Sequence, residues 1–441
     1  MIIVAEMVRL CDLPKEIIEK IMLWAPADSV FQFKFVNKFW YSLISGLINN
    51  PEFVSKHLLI TKNQSTTSLL FNLPSPHVDH RLITFPLLTI TYNDDDDDDD
   101  DDDGKKDHFI ASTEACSVPL ICNRLLNKTH EEDEDDDEDF SVILIPDARY
   151  KDMNQWREAY VCDGLILLVN KFWTMVLCNP ALKEFMVLPR PYNNTFQSAL
   201  PAIVFGFDPV SNDYKCVAVW CSYEGLKVEV YTLGSNSWRE INTHEDIWDD
   251  IQDEMTEVEE LYDGLCWGGV CYWLVKDPSG EDDNMILSFN LSNEELQLFH
   301  VPDLEALGIE CGYWLHLSVW NDSVMMCLTT ENLIIHIFRM DEAEEDSCTE
   351  YDVKVGPIHN HHKVLPYWKN DEILMSIWKE DDMTNLKLVY CNIFTQQMRD
   401  VCDMDKSILD SSVCSYVKSL VSIRRGGEND ELPDDYCVLD L

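Results

Sequence analysis

The sequence predicts an α+β multidomain chain: a small all-α head, then a mostly β propeller of about six to seven irregular blades. Three observations predict it. Apolar residues recur at helical spacing only between Leu13 and Phe53. After residue 57 the pattern becomes short β-type runs separated by turn residues. Those runs repeat with a period close to fifty residues. The expected organisation is a tail at 1–8, a helical domain at 9–57 and a β domain at 58–441, with acidic insertions at 93–107 and 130–140.

In the head, Pro14 occupies a first-turn position where proline is tolerated. Ile17, Ile18, Ile21 and Met22 then mark one helix face. Pro26 punctuates the chain, and Asp28 or Ser29 is placed to cap a second helix carrying Val30, Phe33 and Val36. Asn37 is placed to cap a third, with Phe39, Trp40, Leu43, Ile44 and Leu47 as its apolar residues. Asn50-Pro51 opens a last short helix with Phe53 and Val54. About forty residues make a marginal core alone. A small unit with apolar groups on several faces reads as half of an interface, or as a three-helix cap packed on the following domain.

Downstream, a strand ends at a reference position and a large residue follows six positions later. The pairs are Asn179 with Phe185, Thr232 with Trp238, Asn290 with Leu296 and Asn392 with Met398, and Arg339 marks a degenerate copy. The intervals are 53, 58, 49 and 53 residues. The run Leu69-Leu70-Phe71-Asn72 lies 107 residues before Asn179, two further periods. Such a period suits a kelch-like propeller, in which each four-stranded blade leaves apolar faces that only its neighbours can cover. Trp173, Trp220, Trp238, Trp267, Trp273, Trp314, Trp320, Trp368 and Trp378 are expected in blade cores. A large β-sandwich is the alternative architecture, because the repeats are irregular.

Charge narrows the partners. Acids number 81 against 33 bases, a formal net charge of -48. Ten residues of it lie in Asp94–Asp103 and nine in Glu131–Asp139, yet the remainder is strongly acidic too. That field disfavours nucleic acid and anionic membrane and favours a basic partner. The acid runs lack the glycine turn and ligand order of a calcium loop and read as self-repelling insertions in loops of the first half of the propeller. The 16 Cys sit mostly in apolar runs, without any CxxC pair, and read as small buried hydrophobes. The start lacks a basic signal-peptide region, and no run of about 18 apolar residues exists. A cytoplasmic setting, with the nucleus as a second location, is expected.

No nucleotide-loop, nucleophile-elbow or zinc-helix motif occurs. His359-Asn360-His361-His362 lacks companion ligands at metal spacing and reads as a solvated loop. No catalytic residue, metal ligand or cofactor is expected.

The string Leu13-Pro14, Ile17-Ile18, Ile21, Leu23, Pro26, Ser29, Phe33, Val36, Lys38, Trp40, Pro51, Phe53 resembles an F-box, the motif that docks on the Skp1-type adaptor of cullin-based ubiquitin ligases. Trp24-Ala25, Ala27 and Asn37 depart from its usual residues. Three later segments, Cys162–Pro189, Phe205–Lys215 and Val228–Arg239, resemble the F-box-associated domain of plants. Within that family they are most similar to S-locus F-box and S-locus-F-box-like proteins.

The resemblance implies a non-catalytic substrate receptor. It would bridge a Skp1-like adaptor, and through it a cullin, to a target protein. The partner-binding residues it implies are Leu13, Pro14, Ile17, Ile18, Ile21, Leu23, Pro26, Phe33, Val36 and Trp40. The S-locus likeness implies a basic ribonuclease as target. A scaffold acting outside degradation and a ligand-binding propeller remain as alternatives.

Overall fold

The computed structural model describes residues 13–63, 66–71, 82–92, 109–119, 156–170, 173–191, 201–222, 225–242, 260–276, 285–301, 313–330, 334–340, 348–355, 361–369, 371–379, 382–405, 413–423 and 436–438. The tail at 1–8 and both acidic insertions lie outside them. The head comprises α1 (Lys15–Trp24), α2 (Ala27–Gln32), a 3-10 turn (Phe33–Phe35), α3 (Lys38–Ile48) and α4 (Pro51–Lys62). Asn37 Oδ1 accepts from the amides of Phe39 and Trp40, at 3.0 and 3.2 Å. Asn50 Oδ1 does the same for Glu52 and Phe53, at 3.0 and 3.4 Å. Helix α2 starts one turn earlier than Asp28 or Ser29 would set it: Pro26 stands at its N-cap and Asp28 falls in the first turn. Helix α4 is not short and runs to Lys62, past the expected boundary at 57.

Among the described residues twenty-five strands follow, and they fall into six sheets. Blade two is β4 (Trp156–Cys162), β5 (Leu165–Asn170), β6 (Met175–Asn179) and β7 (Glu184–Val187). Blade three is β8 (Ala202–Asp208), β9 (Asp213–Ser222), β10 (Gly225–Thr232) and β11 (Ser237–Ile241). Blade four is β12 (Glu260–Trp267), β13 (Val270–Lys276), β14 (Met285–Asn290) and β15 (Leu296–His300). Blade five is β16 (Tyr313–Trp320), β17 (Ser323–Thr330), β18 (Ile335–Met340) and β19 (Cys348–Val355), and blade six is β20 (His361–Lys369), β21 (Glu372–Lys379), β22 (Asp382–Asn392) and β23 (Met398–Asp405). Each is an antiparallel meander in chain order.

Blade one is composite. Its β1 (Thr66–Phe71), β2 (Leu82–Tyr92) and β3 (Phe109–Pro119) are joined by β24 (Val413–Tyr416), which pairs with β1 from the other end of the chain. A last strand, β25 (Tyr436–Val438), adds to the outer edge of blade two. Six separately hydrogen-bonded sheets in ring order are a propeller and exclude the sandwich alternative. They also correct one reading: Leu69–Phe71 belongs to the second strand of blade one. The 107 residues to Asn179 therefore hold one blade step, counted over the described strands.

Alternation along the strands explains why neighbouring blades need each other. In β13, Cys271, Trp273 and Val275 share a core with Val217, Val228 and Val230 of blade three. The intervening Tyr272 and Leu274 pack with Leu317, Met326 and Phe338 of blade five. Trp220, Trp238, Trp273 and Trp320 are buried as expected, but Trp267 is 40% exposed because it ends β12 at a turn. Trp173 and Trp378 are half-buried, and the side chains of Trp314 and Trp368 lie outside the described set. His361 and His362 are in β20, not in a loop.

A buried ion pair ties blade three to blade four. Lys215 Nζ lies 2.7 Å from Asp208 Oδ2 and donates to the Leu291 carbonyl at 2.6 Å. Asp208 also accepts from Ser211 Oγ and Ser292 Oγ, both at 2.6 Å, and from the Val210 amide at 2.9 Å. Burial pushes the Asp208 carboxyl up, but the Lys215, Ser211, Ser292 and Val210 bonds outweigh it and hold the group well below the usual carboxylate range. Asp208→Asn removes the nearer carboxylate from the buried Lys215 charge, leaving Glu294 at 3.8 Å, and is expected to cost about 3–5 kcal/mol in chemical denaturation. Asp208→Leu combined with Lys215→Met should recover much of that loss.

In the head, His57 is buried, and its Nε2 lies 2.9 Å from the Ala25 carbonyl oxygen, to which it donates. Burial lowers its pKa against a smaller opposing effect of that bond. The unfolded chain then binds the proton more readily, so the contribution of His57 is complete above its unfolded pKa of about 6.5. It is lost as pH falls toward the lower folded value. Thermal unfolding should show a steeper loss of stability from pH 7.5 to 5.5 in the wild type than in His57→Gln.

Candidate partner-binding surface

The head is amphipathic in an unusual sense: one side is sealed by the propeller and the other is left apolar. Ile18, Met22, Val30, Phe31, Trp40, Ile44, Leu47 and Phe53 form its core. Ala181 and Leu182, from the turn between β6 and β7, and Leu420, beyond β24, complete that same core. Polar ties surround the junction. Lys62 Nζ donates to Asp163 Oδ1 at 2.5 Å, and Lys418 Nζ donates to Asp28 Oδ2 at 3.0 Å.

A strap at 417–423 makes the joint. Asn179 Nδ2 donates to the carbonyls of Ser419 and Val421 at 3.1 and 2.6 Å. Ser419 Oγ donates to the Asp163 carbonyl at 2.5 Å. Glu184 accepts from Ser422 Oγ at 3.0 Å and from the Ile423 amide at 2.9 Å. Gly164 (φ 82°) lies under this strap, and a Cβ there would come within 2.5 Å of Ser419 Oγ and the Val417 carbonyl. Glycine is required both for the backbone angle and for the approach.

The opposite side carries two exposed apolar groups. On α1, Ile17, Ile21 and Trp24 follow one another at four and three residues, and all are exposed. At the elbow between α2 and α3, Phe35, Val36, Phe39 and Tyr41 are exposed, with Val36 at 60%. Ring contacts order this elbow: Phe31 to Phe35 at 5.4 Å and Phe39 to Trp40 at 5.5 Å between centroids. Lys34 Nζ stands 5.5 Å from the Tyr41 ring centroid.

The ten residues implied as partner-binding therefore divide. Ile17, Ile21, Val36, Pro14 and Pro26 are exposed, and Leu13, Leu23 and Phe33 are half-buried. Ile18 and Trp40 are buried in the head core. Both point inward because α1 and α3 must also cover Phe31 and Ile44. Trp24, Phe35 and Phe39 are exposed beside Ile17, Ile21 and Val36 but are not among the ten. Their signal was present: Trp24 continues the Ile17–Ile21 face by helical spacing.

Among the described residues, no group of three or more His, Cys, Asp and Glu is placed to hold a metal ion. Burial pushes the Cys391 and Cys402 thiols up to about 11, far from a reactive thiolate.

Comparison with known proteins agrees with this division. Residues 10–51 match the F-box domain family and residues 125–402 match the F-box associated beta propeller domain family. The F-box protein At2g15640 of Arabidopsis thaliana is 24% identical across 84% of this chain and 74% of its own length. A second Arabidopsis chain named as an F-box protein, At3g21120, is 26% identical across 61% of this chain and 72% of its own. Among solved structures, a chain of a nidogen/laminin complex aligns over 80% of this chain and 99% of its own, at 7% identity and a TM-score of 0.40. So loose a superposition adds nothing to the strand order. The matches do not single out an S-locus branch. The chain belongs to the F-box-associated β-propeller family, and its helical head is an F-box domain.

Proposed function

We propose that this protein is the substrate receptor of a Skp1–cullin–F-box ubiquitin ligase. One observation carries the reading: the head leaves Ile17, Ile21, Trp24, Phe35, Val36 and Phe39 exposed while its other side is sealed on blade two. Large exposed apolar residues concentrated on so small a unit mark a surface meant for another polypeptide. An F-box domain makes a Skp1-like adaptor the fitting occupant. The propeller then presents its target, and ubiquitin transfer is promoted by proximity alone.

The finer parts of the proposal are a cullin reached through the adaptor, degradation of the target, and action in the cytoplasm with the nucleus as a second site. A basic target is favoured by the net charge of -48. The basic ribonuclease of self-incompatibility is one member of that class, supported only by sequence likeness and charge.

The experiment is adaptor capture. Purified full-length chain should retain a recombinant Skp1-like protein, and Ile17→Asp with Val36→Asp should weaken retention at least tenfold, about 1.4 kcal/mol. Both positions are exposed, so the thermal transition of the chain should stay in place. Unchanged retention by a folded double variant removes the proposed adaptor surface. A target whose half-life does not lengthen when the chain is deleted would leave a scaffold role instead.

A further inference from the structure

The antiparallel meanders put the turns joining first to second and third to fourth strands on one face of the propeller. The head occupies this face at blade two, through Ala181 and Leu182. On the same face at blades three to six, three large apolar side chains are exposed among the described residues. Val210 is 79% exposed, Phe394 57% and Trp267 40%. Scattered singly, such residues mean little. These are linked around the rim. The Pro209–Val210 turn abuts Gly269, whose added Cβ would meet Pro209 Cδ at 2.7 Å. Trp267 Nε1 donates to the Asp322 carbonyl of blade five at 3.3 Å. Trp320, which ends the first strand of blade five, has its ring 6.5 Å from that of Phe394 in blade six.

The described turns of the arc carry charge of one sign. Asn212, Asn236, Glu294, Asn321, Asp322 and Gln396 hold left-handed backbone angles within its turns. The described turns at 209–212, 233–236, 268–269, 291–295, 321–322 and 393–397 contain Glu294, Glu295 and Asp322 but neither Lys nor Arg. Arg239 and Lys215 already engage Glu294, so Glu295 and Asp322 are the acids facing outward there. Blade two, under the head, is where a base enters: Lys183 lies in its turn at 180–183.

We propose that this arc, centred on Val210, Trp267, Asp322 and Phe394, docks a basic polypeptide segment carrying aliphatic or aromatic side chains, and that it is a target-binding surface of the receptor. The proposal rests on the receptor reading above. It adds where the target sits: on the head side of the propeller, beside the adaptor. The apolar residues supply contact area, and the acids select Lys and Arg over Asp and Glu.

The test uses the full chain and a fluorescent dodecapeptide alternating Arg and Leu, with a Glu–Leu dodecapeptide as control, read by anisotropy at about 150 mM salt. The Arg–Leu probe should bind and the Glu–Leu probe should not. Trp267→Ser with Phe394→Ser should weaken the Arg–Leu probe at least tenfold. Val210→Ser, at the most exposed position, should weaken it with no change in the melting transition, which keeps the test valid if the double variant misfolds. Asp322→Asn with Glu295→Gln should weaken it and flatten its salt dependence. Equal affinity in all variants would show capture by charge elsewhere and overturn the proposal. Loss of adaptor capture in the arc variants would also overturn it, by assigning the arc to the adaptor. Failure of the wild type to capture the adaptor, with probe binding intact and variant-sensitive, would instead count against the receptor reading alone.

Discussion

Closure of the ring by β24 is the constraint on which the rest of the molecule depends. Each blade buries both faces, so a blade without a neighbour exposes a full apolar layer. Blade one has no first strand of its own. It takes Val413–Tyr416 from the far end of the chain, paired Ser68 to Tyr416 through Phe71 to Val413. Val413 then packs with Leu69 and Ile90 of its own blade and Leu374, Leu386 and Tyr390 of blade six. Closing the ring also delivers the strap at 417–423 to blade two, where Leu420 enters the head core. The same C-terminal segment therefore both closes the ring and docks the head. The contacts that fix the head need most of the chain to be in place.

The six-residue repeat has a physical origin in the hairpin joining the third and fourth strands. Asn179, Thr232, Asn290 and Asn392 each end a third strand. Four residues on, Lys183, Asn236, Glu294 and Gln396 all sit at φ between 48° and 63°. The asparagines close the turn from their side chains. Asn290 Oδ1 accepts from the amides of Ser292 and Asn293, and Asn392 Oδ1 from those of Phe394 and Thr395. Thr232 cannot do this at the same reach, and Asp213 substitutes by accepting from the Gly234 amide at 3.1 Å. A turn of fixed length then places Phe185, Trp238, Leu296 and Met398 at the start of the next strand.

That mechanism shows why much of the fold could be read from the sequence. Periodic features that repeat with the backbone, such as Asn179 to Phe185, survive divergence because the turn geometry demands them. Whole-domain bookkeeping does not survive as well. The 107 residues before Asn179 divide neatly into two periods, yet contain one blade step, since nothing in a strand's own residues reports the length of its connections. Inside and outside are equally hard to separate in a short helical unit. Ile17 and Ile18 are alike in chemistry and adjacent in sequence; one is 42% exposed and the other fully buried. Only the packing of α1 against the rest of the head decides between them. Trp267 was misread for a related reason. Tryptophan in a β run is usually core, but this one ends its strand beside Gly268-Gly269, where the chain leaves the sheet.

A receptor that works by proximity needs more than two binding surfaces; it needs a fixed distance between them. Flexible linkage lowers the effective concentration of a target lysine steeply as the accessible volume grows. Here no free linker separates head from platform. Helix α4 ends at Lys62, which is bonded to Asp163 of blade two, and β1 begins at Thr66. Leu182 and Leu420 belong to the same hydrophobic core as Ile18 and Trp40. Anything held on the exposed face of α1 and anything held on the propeller are thereby related through packed side chains. In the proposed receptor the acidic field would serve a different step. Charge of that sign brings a basic partner in faster, while residence is set by the apolar contacts made after arrival. On the proposed receptor reading three tasks would be physically separate: attraction by net charge, retention by exposed apolar residues, and geometry by the shared core.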